Sequence, residues 1–218
     1  MPLKLPSPIL YLITSGTTTS ATAPHSEDFA QLLALVQAAT AARVKLIQLR
    51  EKNLRTRVLY ELTARAAEIT HGTQTRLLVN DRADVALAAG AAGVHLTTRS
   101  LEASIVRKSF GQDFLIGVST HSLHEAQAAC DASADFATFG PVFDTPSKRI
   151  YGAPVGLDAL GTAARSLSPF PLIALGGITL QNAAEALEAG ASGIAAIRLF
   201  NDSQSLDATA QMIRRERQ

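Results

Sequence analysis

The sequence predicts an α/β fold: a single (β/α)8 TIM barrel in which residues 1–218 form one domain. Short apolar runs alternate with helical patterns, and eight such pairs follow one another at a spacing of about 25 residues. Alternating strands and helices favour a parallel sheet with right-handed crossovers, and eight such units close into a barrel. An open doubly wound sheet is the alternative, but the segment after the first apolar run carries no G-x-G-x-x-G turn.

Each strand is predicted from a short apolar run, and each helix from apolar residues spaced three or four positions apart. Ser26 is a predicted N-cap, and Ser122 with Glu125 forms a predicted capping box. The predicted strands are Ile9–Thr14, Val44–Leu49, Arg76–Val79, Gly93–Leu96, Phe114–Val118, Asp135–Phe139, Pro171–Leu175 and Gly193–Ile197. Helices are predicted from Glu27 onward, over Leu54–Ile69, Ala83–Ala89 and Leu101–Phe110, from Ser122 to Ala129, over Leu157–Leu167, from Leu180 to Gly190, and over Ser205–Arg215.

The composition excludes several classes of function. The chain has 218 residues, a formal net charge of +1 and a single cysteine, Cys130. A net charge near zero gives no reason to expect a nucleic-acid or membrane partner. A single cysteine excludes an internal disulfide and is typical of a reducing compartment, and no apolar run reaches the roughly 18 residues of a membrane span. We therefore expect a cytoplasmic protein.

Polar residues cluster directly after the predicted strands. In a parallel barrel the carboxyl ends of all strands lie on one rim, which is where TIM-barrel active sites lie. The sequence therefore predicts one active site that is built from Gln48, Arg50, Lys52, Asn80, Asp81, Ser119, His121, Thr145, Ser147, Lys148, Gly176, Gly177 and Arg198.

The residue types on this rim favour a phosphorylated ligand. The cations Arg50, Lys52, Lys148 and Arg198 outnumber the one prominent carboxylate, Asp81, and such a set suits phosphate or pyrophosphate. Asp81 also suits Mg²⁺, which binds few protein carboxylates and keeps waters and substrate phosphates as its other ligands.

Simpler interpretations of the same residues remain open at this stage. Asp81 is suited to cap the helix that begins near Ala83, and Glu51-Lys52 is suited to a solvated turn. His121 is either a functional residue or a loop residue that only packs, and His95 points either into the barrel or outward. Gly176-Gly177 follows the seventh strand, where bare backbone N–H groups bind anions, but two glycines also simply turn a chain.

Taken together, the segments at the strand ends resemble the thiamine phosphate synthase/TenI family, whose members are (β/α)8 barrels. The resemblance runs from Tyr11 to Phe200. It is carried by six segments in order: Gln48-Leu49-Arg50-Glu51-Lys52, Val79-Asn80-Asp81-Arg82, Gly93-Val94-His95-Leu96, Gly117-Val118-Ser119-Thr120-His121, Gly140-Pro141-Val142-Phe143 with Thr145-Pro146-Ser147-Lys148, and Gly176-Gly177-Ile178.

The resemblance implies a role for each rim residue. Synthases of this family join hydroxymethylpyrimidine pyrophosphate to a thiazole phosphate and release pyrophosphate. The resemblance places the pyrimidine and its pyrophosphate at Gln48, Arg50, Lys52, Asn80 and Lys148, and substrate contacts at Ser119, Thr145 and Ser147. It makes Asp81 a ligand of Mg²⁺, and it places the thiazole phosphate at Gly176, Gly177, Ile197 and Arg198.

Three positions depart from the synthase pattern. Ser100 stands where synthases carry a second Mg²⁺ aspartate, Ser15 replaces an aspartate after the first strand, and Arg198 replaces a serine after the eighth. Loss of the second carboxylate is typical of TenI-like members, whereas the complete Gln48–Lys52 segment is typical of synthases. The first hypothesis is a thiamine phosphate synthase, which is a transferase.

Two other functions remain open. One is a TenI-like thiazole tautomerase, an isomerase with His121 as general acid and base. The other is a silent binder of a phosphorylated ligand. In each case the partners are small phosphorylated molecules, and the Ala-rich outer helices permit a homodimer without showing one.

Overall fold

The computed structural model describes residues 8–145 and 153–215, which form one closed barrel of parallel strands in chain order. The last strand pairs with the first, so the sheet has no free edge. The strands are β1 (Ile9–Ile13), β2 (Leu46–Leu49), β3 (Arg76–Asn80), β4 (Gly93–Leu96), β5 (Leu115–Thr120), β6 (Phe136–Phe139), β7 (Leu172–Leu175) and β8 (Gly193–Ala196). The predicted barrel is confirmed.

A helix follows each strand and covers the outside of the barrel. The helices are α1 (Glu27–Ala41), α2 (Thr56–Thr70), α3 (Ala83–Ala88), α4 (Ala103–Phe110), α5 (Leu123–Asp131), α6 (Gly156–Leu167), α7 (Ala183–Glu188) and α8 (Leu206–Arg215). Among the described residues, no helix combines the length and the apolar character needed to cross a membrane.

The predicted strand bounds agree with the structure to within two residues, and the largest differences are at the start of β2 and at the end of β5. This strand continues through Ser119 and Thr120, where the apolar run has already ended. Both residues pair with β6, and the Thr120 hydroxyl donates to the carbonyl of Thr138. Backbone pairing therefore extends the strand two residues beyond its apolar pattern.

The two predicted helix caps have different outcomes. The Ser122 hydroxyl accepts a hydrogen bond from the Glu125 N–H, which confirms this cap. The other half of the predicted capping box differs, since the Glu125 carboxylate accepts the N–H of His121 and not that of Ser122. Ser26 occupies the N-cap position of α1 as predicted, but its Oγ accepts the Ala23 N–H and no N–H of the helix. The predicted N-cap position is therefore confirmed, but its side chain does not cap the helix, because the preceding turn engages the hydroxyl.

Side chains alternate between the barrel interior and the helices, as strand geometry requires. The outward residues of the strands pack against the helices in two large apolar clusters. The inward residues form a third cluster, which consists of Ile9, Tyr11, Ile13, Leu46, Leu78, Leu115, Phe136, Ile173 and Ala195.

The strand register stacks the inward positions in layers of four from alternate strands. The central layer contains Tyr11, Leu78, Gly117 and Ile173. The layer above it, which we call the polar layer, contains Gln48, His95, Thr138 and Ala195. The layer nearest the carboxyl ends of the strands, which we call the mouth layer, contains Ile13, Asn80, Ser119 and Leu175.

The amino-terminal end of the barrel is held by one buried cation. Arg107 is 8% exposed, and its guanidinium donates to the carbonyls of Gly111, Phe114 and Ser133. It also pairs with the Asp135 carboxylate at 2.6 Å. Because polar residues at this end of a TIM barrel typically serve stability, we assign Arg107 to the fold rather than to the site.

Gly117 in the central layer is required by its neighbours. A Cβ atom at this position would lie 2.3 Å from Cζ of Phe136 and 2.7 Å from Nδ1 of His95. Both distances are far below van der Waals contact, and both rings are enclosed by the barrel wall. The glycine therefore makes room for the two rings inside the barrel.

We predict that Gly117→Ala lowers the free energy of unfolding by about 1–3 kcal/mol, because the added methyl group overpacks the barrel interior. Urea unfolding followed by circular dichroism measures the change. Adding Phe136→Leu, which removes the Cζ atom, should restore part of the loss. An unchanged unfolding midpoint in Gly117→Ala would contradict the close packing.

Candidate active site

The predicted site residues that the structure describes all lie at the carboxyl ends of the strands, within a strand's last residues or in the segment that follows it. They are Gln48, Arg50, Lys52, Asn80, Asp81, Ser119, His121, Thr145, Gly176, Gly177, Ile197 and Arg198. Ser147 and Lys148 lie outside the described residues. The structure therefore brings twelve predicted residues to one rim, and their roles stay predictions.

Two polar atoms in the polar layer have no hydrogen-bond partner. Gln48 and Thr138 are each 1% exposed, and neither Nε2 of Gln48 nor Oγ1 of Thr138 is bonded to a described residue. Buried polar groups are nearly always paired in folded proteins. Gln48 was predicted from the sequence, whereas Thr138 was not, because it stands inside an apolar strand.

The inward side chains near the mouth divide into a polar and an apolar side. Strands β2 to β6 contribute polar groups, and β7, β8 and β1 contribute the apolar side chains of Leu175, Ile197 and Ile13. The polar side consists of Gln48, Asn80, His95, Ser119 and Thr138. Such a division suits a flat ring that has hydrogen-bonding atoms along one edge.

His95 points into the barrel, which settles the orientation that the sequence left open. It is 3% exposed, and burial lowers the pKa of its imidazole to about 3. Its Nδ1 lies 3.1 Å from the hydroxyl of Tyr11, and its Nε2 lies 3.0 Å from Oγ of Ser119. Burial also raises the pKa of the Tyr11 phenol well above its ordinary value. A neutral, hydrogen-bonded chain of side chains therefore ends at Ser119.

Glu51 is buried, so its interpretation as part of a solvated turn is wrong. The side chain is 4% exposed, and its carboxylate accepts hydrogen bonds from the hydroxyls of Thr14 at 2.5 Å and Thr18 at 2.6 Å. The backbone N–H groups of Gly16 and Thr18 also donate to it. These bonds fasten the loop after β1 to the end of β2.

The hydrogen bonds around Glu51 also position Arg50. The Thr14 hydroxyl that donates to Glu51 accepts the Arg50 N–H at 2.8 Å. A Cβ atom built on Gly16 would lie 3.0 Å from the Arg50 carbonyl oxygen and 3.4 Å from its Nη1, so the glycine lies directly against this residue. Sequence reasoning missed Glu51 because a charged residue among charged neighbours normally predicts exposure.

Gly176 and Gly177 lie against the loop after β6. Their φ angles are 96° and 69°, and Cβ atoms on them would lie 2.6 Å from Cα of Pro141 and 2.6 Å from the carbonyl oxygen of Asp144. The Phe143 N–H donates to the carbonyl of Gly176. Close packing of two loops is therefore sufficient reason for the glycines, and their predicted phosphate contact stays a prediction.

Arg198 joins the end of β8 to the same loop. Its Nη2 lies 3.3 Å from Oγ1 of Thr145, which is 8% exposed. Two predicted residues that are 53 positions apart in the chain are thus in direct contact. The contact places an exposed guanidinium beside the loop after β6, against which Gly176 and Gly177 pack.

Asp81 does not cap α3, so that alternative is wrong. The N-cap residue is Arg82, and Asp81 has a φ of 61°, in the left-handed region. Its N–H donates to the carbonyl of His95, and its exposed carboxylate accepts no hydrogen bond from the described residues. Ser100, at the position of the second metal aspartate, is engaged locally, since its Oγ accepts the Thr97 N–H at 2.8 Å.

His121 is exposed at the end of β5. Its Nδ1 donates to the carbonyl of Gly140, and its backbone N–H donates to the Glu125 carboxylate at 2.6 Å. Because a carbonyl only accepts, the proton is on Nδ1. These bonds tie the β5 and β6 loops together, which is sufficient reason for the residue without a catalytic role.

The model of the TMP-TENI family, described as thiamine monophosphate synthase, matches residues 10–200 of the chain. The chain belongs to the thiamine monophosphate synthase family. The match runs from Leu10 in β1 to Phe200, beyond the end of β8, and it confirms the family that the strand-end segments predicted.

Known members of the family are similar over most of their length. A protein of Geobacter sulfurreducens named "Putative thiamine-phosphate synthase" is 47% identical over 188 residues, which are 86% of this chain and 84% of that one. The thiamine-phosphate synthase of a Roseiflexus species is 40% identical over 75% of this chain and 69% of its own. The solved thiamine phosphate pyrophosphorylase from Pyrococcus furiosus is 29% identical, with a TM-score of 0.77 over 95% of this chain and 94% of that one.

We predict that Glu51→Gln lowers the free energy of unfolding by about 1–3 kcal/mol, because the new amide points a donor at groups that already donate. Urea unfolding measures the change. Glu61→Gln is the matched control: Glu61 forms an exposed pair with Arg65, so its change should be about 0.5 kcal/mol or less. Equal losses in the two variants would show that Glu51 is not the anchor of the loop.

We predict that the barrel is destabilised by acid through His95. The unfolded chain protonates this imidazole near pH 6.5, whereas its pKa in the folded protein is about 3. The unfolded state therefore binds one more proton between these values. His95 thus lowers the free energy of unfolding by about 1.4 kcal/mol for each pH unit below 6.5. Unfolding curves of the wild type and His95→Gln from pH 7 to 4 measure this as a difference, and parallel pH profiles would contradict it.

Proposed function

We propose that this chain is a thiamine-phosphate synthase, a transferase that couples hydroxymethylpyrimidine pyrophosphate with thiazole phosphate to give thiamine phosphate and pyrophosphate. The observation that carries the proposal is the 47% identity to a relative with the synthase name over 86% of the chain. The rim geometry supports it independently, since cations and a partly polar mouth lie at the same end of the barrel.

The chemistry requires stabilisation of a leaving group. The bond between the pyrimidine methylene carbon and the pyrophosphate oxygen breaks, and its electron pair leaves with the pyrophosphate. The thiazole nitrogen then donates its lone pair to the resulting benzyl-like cation. Because charge separation is the barrier, groups that bind the departing pyrophosphate lower it most. This role belongs to Arg50 and Lys52, which follow β2, and to Lys148, which is assigned from the family resemblance.

The mouth of the barrel receives the pyrimidine ring in this proposal. Gln48 and Asn80 lie on its polar side with Ser119, and they offer donors and acceptors to the ring edge. The unpartnered Nε2 of Gln48 supports this role, because a ligand acceptor would satisfy it. Leu175 and Ile197 supply apolar contact on the opposite side. In this proposal the methylene carbon of the bound pyrimidine faces the rim cations.

The thiazole phosphate binds at the neighbouring strand ends in this proposal. Gly176, Gly177, Ile197 and Arg198 bind its phosphate, and Thr145 and Ser147 contact the substrates. The contact between Arg198 and Thr145 supports a shared site, because it joins the two loops that these residues occupy. The two substrates would then meet over the mouth.

Asp81 is the residue that would hold Mg²⁺. Among residues 8–145 and 153–215, no group of three or more His, Cys, Asp and Glu side chains gathers as a metal site. One exposed carboxylate nevertheless fits Mg²⁺, which takes its remaining ligands from waters and substrate phosphates. When bound, Mg²⁺ would neutralise charge on the pyrophosphate. The engaged hydroxyl of Ser100 makes binding depend on Asp81 and the substrate.

The tautomerase alternative receives no support from the named relatives, and we do not propose it. His121 is accordingly retained as a rim residue without a catalytic role in the synthase reaction. A cytoplasmic location and a homodimer stay predictions.

We predict that the purified protein releases pyrophosphate and forms thiamine phosphate when both substrates and Mg²⁺ are present, and that a chelator stops the reaction. Arg50→Ala should lower the rate by about 100-fold or more, because it removes a charge that stabilises the leaving group. Coupled pyrophosphate detection and chromatography measure the two products.

Arg76→Ala is the matched control for this experiment. Arg76 is an exposed arginine at the opposite end of the barrel, where β3 begins, so its loss should leave the rate unchanged. A wild-type protein without pyrophosphate release at any Mg²⁺ concentration would overturn the proposed function. Equal losses in the two variants would overturn the role of Arg50.

A further inference from the structure

A chain of three hydrogen-bonded side chains rises through successive layers of the barrel. The Tyr11 hydroxyl, in the central layer, lies 3.1 Å from His95 Nδ1, in the polar layer. His95 Nε2 lies 3.0 Å from Oγ of Ser119, in the mouth layer. The reaction proposed above uses Ser119 but gives no role to Tyr11 or His95. We therefore ask what the two inner residues do for the outer one.

The hydroxyl of Tyr11 determines which atom donates in each of these hydrogen bonds. Tyr11 is 0% exposed, and among the described residues His95 Nδ1 is the hydrogen-bond partner of its hydroxyl. If Nδ1 carried a proton, the phenol oxygen would have to accept it, and the phenol proton would then be buried without an acceptor. Buried donors are rarely left in that state. Tyr11 therefore donates, Nδ1 is unprotonated, and the ring carries its proton on Nε2.

The surrounding packing holds the ring in this position. The ring centroids of Tyr11 and Phe136 lie 5.7 Å and 6.0 Å from that of His95. On the β5 side the backbone of Gly117 approaches so closely that a Cβ atom there would be 2.7 Å from Nδ1. These neighbours fix both nitrogens of His95 toward their partners.

The direction of these hydrogen bonds determines whether the Ser119 hydroxyl can donate to a ligand. Since Nε2–H donates to Oγ of Ser119, the hydroxyl proton of Ser119 points elsewhere and is available at the mouth. We propose that Tyr11 and His95 are positioning residues that fix Ser119 as a hydrogen-bond donor to an acceptor atom of the substrate. This inference rests on the proposed function for the identity of that substrate.

The consequence for the substrate is chemical selectivity. A pyrophosphate oxygen or an unprotonated ring nitrogen of hydroxymethylpyrimidine pyrophosphate accepts such a bond, whereas an amino group does not accept it. A hydroxyl without a fixed partner would serve either kind of atom. The hydrogen bonds among Tyr11, His95 and Ser119 therefore favour a ligand that presents an acceptor atom to β5.

The first test reads the tautomer of His95 and does not depend on activity. Nitrogen NMR of the full chain with labelled histidine distinguishes a protonated from an unprotonated ring nitrogen. We expect Nδ1 unprotonated and Nε2 protonated in the wild type, with the assignment made by comparison with His95→Gln. Protonation of Nδ1 in the wild type would overturn the proposal, whether or not the protein is a synthase.

The second test is a double-mutant cycle on turnover of hydroxymethylpyrimidine pyrophosphate. Tyr11→Phe should lower kcat/KM by about tenfold, the value of one hydrogen bond, and should cause no further loss in a Ser119→Ala background. Tyr60→Phe, at an exposed tyrosine of α2, is the control and should change neither background. Circular dichroism verifies that each variant is folded.

The outcomes separate this proposal from a structural role and from the proposed function. The same loss from Tyr11→Phe in both backgrounds would show that Tyr11 acts independently of Ser119, and no loss in either would show that the hydrogen bond of Tyr11 does not contribute to turnover. Either result overturns the proposal. A wild type without turnover would overturn the proposed function instead, and the NMR result would then decide the tautomer.

Discussion

Closure of the sheet is the constraint on which the rest of this structure depends. Pairing of β8 with β1 leaves no free edge, so every strand has two neighbours and all carboxyl ends face one way. The interior then has room for only four side chains in each layer. The small residue Gly117, beside which the rings of His95 and Phe136 lie, follows from this limit.

The fold could be predicted almost completely from the sequence, because apolar periodicity reports directly on burial. The strand ends were predicted less well. β5 continues through Ser119 and Thr120, since ladder hydrogen bonds to β6 do not require apolar side chains. The Ser26 hydroxyl bonds to Ala23 in the preceding turn instead of accepting a helix N–H, a choice that composition does not decide.

The site was predicted at the level of position and only partly at the level of contacts. Parallel strands bring their carboxyl ends together whatever the side chains are, so the rim residues were found from spacing. Glu51 was not recognised as an anchor, because its burial is created by a loop folded over it from Thr14 to Thr18. The role of Thr138 and the hydrogen bond from Tyr11 to His95 were not recognised either, since both depend on which side chains meet inside the barrel.

Asp81 has to meet two separate requirements. Its backbone is left-handed, and the proposed Mg²⁺ site needs a negative charge at this position. Asparagine and aspartate adopt this conformation more readily than most side chains, and of these two only aspartate carries a negative charge. Glutamate would keep the charge at a cost in backbone strain, and asparagine would keep the backbone and remove the charge. If Asp81 holds Mg²⁺ as proposed, exchanging this one aspartate for asparagine would turn a cation-binding barrel into a cation-indifferent one.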